Sequence, residues 1–187
     1  MDSLEFVKRL VAHGADVNLR ATKHMGSALN TIGATPFLLA SRTRDVEFMR
    51  LLVSLGADPS IGNKDHTTPL LAAAGVGTST PGGDPGTDSE GLEAVKYAFE
   101  LGGDVNAVDD NAETAMHGAA YKHFPSVVRF LSEHGAKVEV WNRKNKEGWT
   151  PLVIAEGVRR ANNVHFSEET AAAIREAMKG KAAANIP

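Results

Sequence analysis

Two short phrases recur along this chain, and no other feature restricts its fold so strongly. GADVN at Gly14 returns as GADPS from Gly56, GGDVN from Gly102 and GAKVE from Gly135. Between them, TPFLLA from Thr35 returns as TPLLAA from Thr68, TAMHGAA from Thr114 and TPLVIA from Thr150. Thr35 to Thr68 and Gly102 to Gly135 are both 33 residues, whereas Gly14 to Gly56 is 42, Gly56 to Gly102 is 46 and Thr114 to Thr150 is 36. A base period of 33 with insertions of 9, 13 and 3 residues accounts for all of them. Self-similarity at such a period marks stacked units, each unable to bury its apolar face without its neighbours.

Each phrase has a local physical role. Thr35, Thr68 and Thr150 precede Pro36, Pro69 and Pro151. A threonine N-cap followed by proline starts a helix, because the hydroxyl satisfies an unpaired amide and proline has none to satisfy. The first helices are rich in alanine and leucine, so they can approach one another closely. Second helices follow: Val46, Phe48, Met49, Leu52 and Leu55 fall at helical spacing, as do Val127, Val128, Phe130 and Leu131 behind Pro125. Gly14, Gly56, Gly102 and Gly135 then supply left-handed helix ends.

Helix, turn, helix and polar connection at this period resemble the ankyrin repeat, whose pattern runs G-x-TPLHxAA, a second helix, then GADVN. The resemblance extends from about Leu4 to Met178 and is strongest at GADVN (Gly14–Asn18) and GWTPL (Gly148–Leu152). Ala115 departs from the proline of the pattern, and His117 alone holds the histidine position. The extended loops are similar to those of bacterial ankyrin repeat proteins. The resemblance implies an all-α solenoid with a leading half unit at 1–20, units at about 21–62, 63–108 and 109–141, a capping unit at 142–180 and a loose tail at 181–187. The half unit has only a second helix, which leaves Phe6, Val7, Leu10 and Val11 without cover and suggests a fragment of a longer array.

Four insertions interrupt the period. Ala21–Gly33 and Asn145–Glu147 are assigned to the hairpin side, and Gly75–Glu90 and Arg159–Phe166 to the connections between paired helices. Gly75–Glu90 reads as a flexible connector, with a lid, a partner contact, or a small-molecule or glycan site beneath it as the sharper readings.

The acid-rich stretch LGGDVNAVDDNAETAMHGAA (Leu101–Ala120) raises the question of a calcium loop. Counted from Asp104, Val108 stands where a ligand is required, Asp109 where the turn glycine belongs and Ala115 where the bidentate glutamate belongs. The stretch reads instead as a turn between helices. No nucleophile elbow, phosphate loop or HExxH zinc motif is present, so no enzyme activity, cofactor or metal is expected. His13 and His134 sit at helix C-termini, which favour a cation. His117 and His123 do not share a helix face cleanly.

Composition narrows the partners. A formal net charge of −3 argues against nucleic acid. With no cysteine, disulfides and thiolate chemistry are excluded but the redox compartment stays open. No apolar run is long enough to span a membrane. The N-terminal segment does not read as a signal peptide, so the compartment stays cytoplasmic or, after removal of a leader, secreted or periplasmic.

Protein recognition is therefore the expected function, through a concave surface of connections and first helices. The candidate contact residues are Arg42, Lys64, Asp65, His66, Asp110, Asn111, Glu113, Tyr121, Lys122, Trp141, Arg143, Lys144 and Trp149. Tryptophan and tyrosine serve as interface anchors, and basic side chains interrupted by Asp109 and Asp110 could steer an acidic partner. The partner is expected to be a protein, the chain a monomer. The competing reading is an accessory or ligand-binding segment of a larger protein whose enzymatic domain lies elsewhere.

Overall fold

The computed structural model describes residues 3–78, 85–160 and 163–182. The leading helix α1 (Ser3–Ala12) stands alone. Three helix pairs follow: α2 (Pro36–Thr43) with α3 (Val46–Ser54), α4 (Pro69–Ala74) with α5 (Asp88–Glu100), and α6 (Ala115–Lys122) with α7 (Pro125–Glu133). A one-turn helix α8 (Val138–Trp141) leads to α9 (Pro151–Gly157), strands β1 (Val158–Arg160) and β2 (Asn163–His165), and α10 (Glu168–Ala182).

The helix starts are the ones that threonine and proline dictate. The Thr35, Thr68 and Thr150 hydroxyls accept from the amides of Leu38 (3.2 Å), Leu71 (3.3 Å) and Val153 (3.4 Å). Thr114, which lacks the following proline, takes a different partner: its amide donates to His117 Nδ1 at 3.2 Å. Gly14, Gly56, Gly102 and Gly135 all have φ between 93° and 95°, the left-handed geometry that lets the chain leave the second helix.

First helices stack α2 on α4, α4 on α6 and α6 on α9, and second helices stack α3 on α5, α5 on α7 and α7 on α10. One apolar core runs between the layers, from Phe37 and Met49 through Leu71, Val95 and Val128 to Ile174. The first helices approach closely where small residues face one another. A Cβ on Gly118 of α6 would lie 2.5 Å from the Val76 backbone nitrogen and 2.9 Å from the Gly75 carbonyl carbon. Only glycine admits this approach of the chain leaving α4.

The GADVN asparagine joins neighbouring units. Asn18 Nδ2 donates to Gly56 O (3.1 Å), and Asn18 Oδ1 accepts from the Asp58 amide (2.8 Å). Asn106 repeats the pair with Gly135 O (3.1 Å) and the Lys137 amide (2.8 Å). Asp16, Asp58 and Asp104 each accept from the amide two residues on at 2.8 Å. Asp104 of the Leu101–Ala120 stretch is thus spent on its own turn.

Several boundaries differ from the sequence reading. The long insertion ends earlier than Glu90: Thr87 and Glu90 form a reciprocal capping box that starts α5 at Asp88. The Arg159–Phe166 segment is not a plain loop, since β1 and β2 pair antiparallel with Val158 opposite His165 and Arg159 opposite Val164. The helical solenoid thus carries one small two-stranded sheet. Ser167 caps α10 as expected, its Oγ accepting from the Thr170 amide at 3.2 Å. That helix continues through Lys179 and Gly180 to Ala182; the rest of the expected tail, residues 183–187, lies outside the described residues. No helix among the described residues is long and apolar enough to cross a membrane.

Candidate binding surface

The polar connections end in four hairpins of one design. Asn30, Asn63, Asp109 and Asn145 each stand five residues before a helix-starting threonine. Asn63 Oδ1 accepts from the amides of Asp65 (3.0 Å) and Thr67 (2.8 Å), and Asp109 Oδ1 from those of Asn111 (2.8 Å) and Glu113 (2.9 Å). Asn145 Oδ1 accepts from Glu147 and Trp149, both at 3.1 Å. Left-handed residues, Gly33, His66, Ala112 and Gly148, close the turns. This Asx signal was legible as a spacing, and the reading by insertions missed it. Asn145–Glu147 is the tip of the fourth hairpin, so the three-residue insertion lies upstream of it, where α8 adds a helical turn.

Backbone bonds tie the tips into one row. Lys64 donates to Ile32 O (2.8 Å), Asp110 to Asp65 O (2.9 Å) and Lys146 to Asn111 O (3.0 Å). Side chains reinforce it: Asn30 Nδ2 donates to Asp65 Oδ1 (2.9 Å), Thr67 Oγ1 to Asp109 Oδ2 (3.0 Å) and Asn145 Nδ2 to Glu113 Oε1 (2.9 Å), while His66 Nδ1 lies 2.8 Å from Asp110 Oδ1. Burial pushes the Asp109 carboxyl pKa up, against the lowering effect of the donors from Glu113, Thr67 and Asn111.

His117 links the third first helix to the fourth hairpin. Because Nδ1 accepts from Thr114, Nε2 carries the proton and donates to Arg143 O at 3.0 Å. Burial lowers its pKa to about 4, so the ring is neutral. His13 and His134 lie within hydrogen-bond distance of the carbonyls four residues back, at 2.7 and 2.8 Å. His123 ends α6 in a left-handed conformation, and burial, then the charges of His165 and Lys122, lower its pKa.

The candidate contact residues divide. Lys64, His66, Asp110, Arg143 and Lys144 are exposed, and Arg42, Asp65, Asn111, Glu113 and Trp149 are half-buried. Three others are not on the surface, which corrects the sequence reading. Trp141 is 2% exposed, because α8 turns its indole into the core, where Nε1 finds no hydrogen-bond partner. Tyr121 is buried under the fourth hairpin with its hydroxyl 2.9 Å from Asn145 Nδ2. Lys122 is buried with its stem against Gly75 and its ammonium 5.4 Å from the centre of the Phe124 ring.

The concave face is also partly filled by the chain itself. Leu29, from the first insertion, packs with Ala34, Leu38 and Ala72 over the first helices, and a Cβ on Gly77 would lie 2.7 Å from Leu29 Cβ. At the start of the row the same insertion replaces a preceding hairpin: the Thr31 amide donates to His24 Nδ1 (3.4 Å) and its hydroxyl to Lys23 O (3.1 Å). Beyond α4, buried Arg44 holds the returning loop, donating to Ala73 O (3.1 Å) and Pro85 O (2.6 Å) and stacking over Phe124. The Gly75–Glu90 segment is thereby anchored at both described ends.

Among the described residues no group of three or more potential metal ligands converges. The Lys64, Lys144 and Lys146 ammonium groups make no hydrogen bond or ion pair among the described residues, while Asp65, Asp110 and Glu113 are engaged within the row. These hydrogen bonds orient the carboxylates without cancelling their charge, and Glu147 is exposed beside Lys146, so basic and acidic side chains are interspersed along the tips, with the basic ones densest at Arg143, Lys144 and Lys146.

Comparison with known proteins agrees with this architecture. The family described as "Ankyrin repeats (3 copies)" matches residues 88–166, and "Ankyrin repeat" matches 32–64. The chain is 30% identical to neurogenic locus notch homolog protein 1 of Mus musculus over 79% of its own length and 5% of that protein's. It is 27% identical to inversin of Canis lupus familiaris, over 88% of this chain and 13% of that one. It is also 27% identical to the E3 ubiquitin-protein ligase KEG of Arabidopsis thaliana, over 76% of this chain and 8% of that one. The chain thus spans only a small part of the curated relatives it matches. With two recurring phrases in register, helix pairs stacked at their period and a bonded row of hairpins, the chain belongs to the ankyrin repeat family of protein-interaction modules.

Proposed function

We propose that the chain is a non-catalytic recognition module that binds an acidic segment of another protein along the tips of its second to fourth hairpins. The observation that carries this reading is the density of exposed basic side chains at the fourth hairpin, where Arg143, Lys144 and Lys146 fall close together. Lys64, Arg143, Lys144 and Lys146 project from the row, while Asp65, Asp110 and Glu113 are held by Asn30, His66 and Asn145. A rigid row orients these charges before contact, which lowers the ordering cost of binding. Leu29 and the Gly75–Val76 backbone over the first helices move the contact from the groove toward the tips. Trp149, half-buried at the base of the last hairpin, adds apolar surface.

A second reading is favoured by coverage. The curated relatives are much longer than the matched region, and one is named as a ubiquitin ligase. The chain would then be the targeting segment of a larger protein, and the same surface would do the recognition.

Affinity capture with the intact chain and with Arg143→Glu/Lys144→Glu tests the site. Both side chains are exposed, so the variant keeps the wild-type melting temperature. Loss of a partner from the variant alone supports the assignment. Equal recovery of that partner removes the tips from the interface.

A further inference from the structure

Both ends of the solenoid are apolar, and they differ in shape. At the N-terminal end, a cavity of about 510 Å3 opens between α1 and α2, lined by Val7, Leu10 and Val11 of α1, Leu19, and Pro36 and Leu39 of α2. Every later second helix is covered by its own first helix, whereas α1 has no such cover and buries no residue. Asp16 and Arg20 stand at the cavity rim.

At the C-terminal end the apolar surface protrudes. Val153 occupies the position from which His117 reaches the next hairpin; among the described residues no further hairpin packs there, and Val153 is 42% exposed. Gly157 lies four residues on, on the same helix face. A Cβ at Gly157 would lie 3.1 Å from Val164 Cγ1 and 3.4 Å from Phe166 Cβ, so these side chains form one patch with Val153. Val164 is 59% and Phe166 68% exposed. Strand alternation turns Val164 and its cross-strand neighbour Arg159 away from the face that carries buried Val158 and half-buried His165. A projecting apolar patch with a cation beside it meets, at the other end, an apolar recess with Asp16 and Arg20 at its rim, where Arg20 is already held by the Gly33 and Gly62 carbonyls.

We propose that copies of this chain associate head to tail, the Val153–Val164–Phe166 patch of one copy filling the α1–α2 cavity of the next, with Arg159 facing Asp16. The contact continues the direction in which the first helices already stack. Because the two faces are different and lie at opposite ends, the interface is heterologous and propagates until a ring closes. This departs from the monomer that the sequence alone suggests.

Light scattering coupled to size exclusion, over a concentration series, tests the proposal with Leu10→Asp and Phe166→Asp. Leu10 is 44% and Phe166 68% exposed, and circular dichroism confirms that each variant folds. The wild type is expected to exceed the 19.8 kDa of one chain as concentration rises. Each variant alone should stay at 19.8 kDa. Their equimolar mixture keeps one intact interface, so it should reach the mass of two chains and stop there. A wild type that stays at one chain throughout would overturn the proposal and leave the cavity to another occupant. So would variants that associate like the wild type, or a mixture that remains monomeric.

Discussion

His117 makes stability depend on pH in a way that can be worked out from its surroundings. Its pKa falls from 6.5 in an exposed chain to about 4 in the fold, because burial disfavours the imidazolium. Between these values the unfolded chain binds the proton and the folded chain does not. Stability is therefore fully present above the unfolded value and declines as the pH drops toward the folded one. The slope reaches about 1.4 kcal/mol per pH unit, and the whole window is worth about 3 kcal/mol. Replacing His117 by leucine isolates this contribution, since Leu38 and Leu71 fill the equivalent buried positions of two other units. The variant leaves the Thr114 amide and Arg143 carbonyl without their partner, so it should be less stable at neutral pH by about 1–3 kcal/mol. Urea unfolding at several pH values across the window would show wild type losing about 3 kcal/mol more than the variant. The raised pKa of Asp109 acts in the opposite direction, because the folded carboxyl takes up its proton first, but it is common to both proteins and subtracts out. Parallel pH profiles for wild type and H117L would refute the neutral buried histidine.

Gly118→Ala sets helix propensity against close packing. Alanine gains about 1 kcal/mol in a helix interior, but its Cβ would meet backbone at Val76 and Gly75, which has no rotamer through which to yield. Overpacking of this kind costs about 1–3 kcal/mol, so a lower melting temperature is expected; an unchanged or higher one would show that the first helices can separate. Asn106→Ala removes the bonds to Gly135 and Lys137 and should cost about 1–2 kcal/mol in urea unfolding. Asn18→Ala removes the same pair but should cost less, because the α1 end buries little; equal losses would contradict a stability that rises toward the interior of the array.

The local devices were readable without a structure. Thr-Pro pairs start helices, glycines end them, and the GADVN acids fold turns, because each acts on amides or carbonyls within a few residues. The hairpin residues Asn30, Asn63, Asp109 and Asn145 belong to the same class, and their common distance from the threonines would have revealed them. Burial was another matter. Nothing near Trp141 in the chain says that three added residues form a helical turn and rotate its indole inward. Tyr121 and Lys122 look like exposed helix ends until Asn145 and Gly75 are brought against them. Leu29 reads as part of a polar insertion, yet it closes over Leu38 and Ala72. The 33-residue period, the helix pairs and their ends follow from sequence because short-range hydrogen bonds decide them. Which surface remains open for a partner was decided only by tertiary packing, because cover comes from segments far away in the chain whose placement no local pattern encodes.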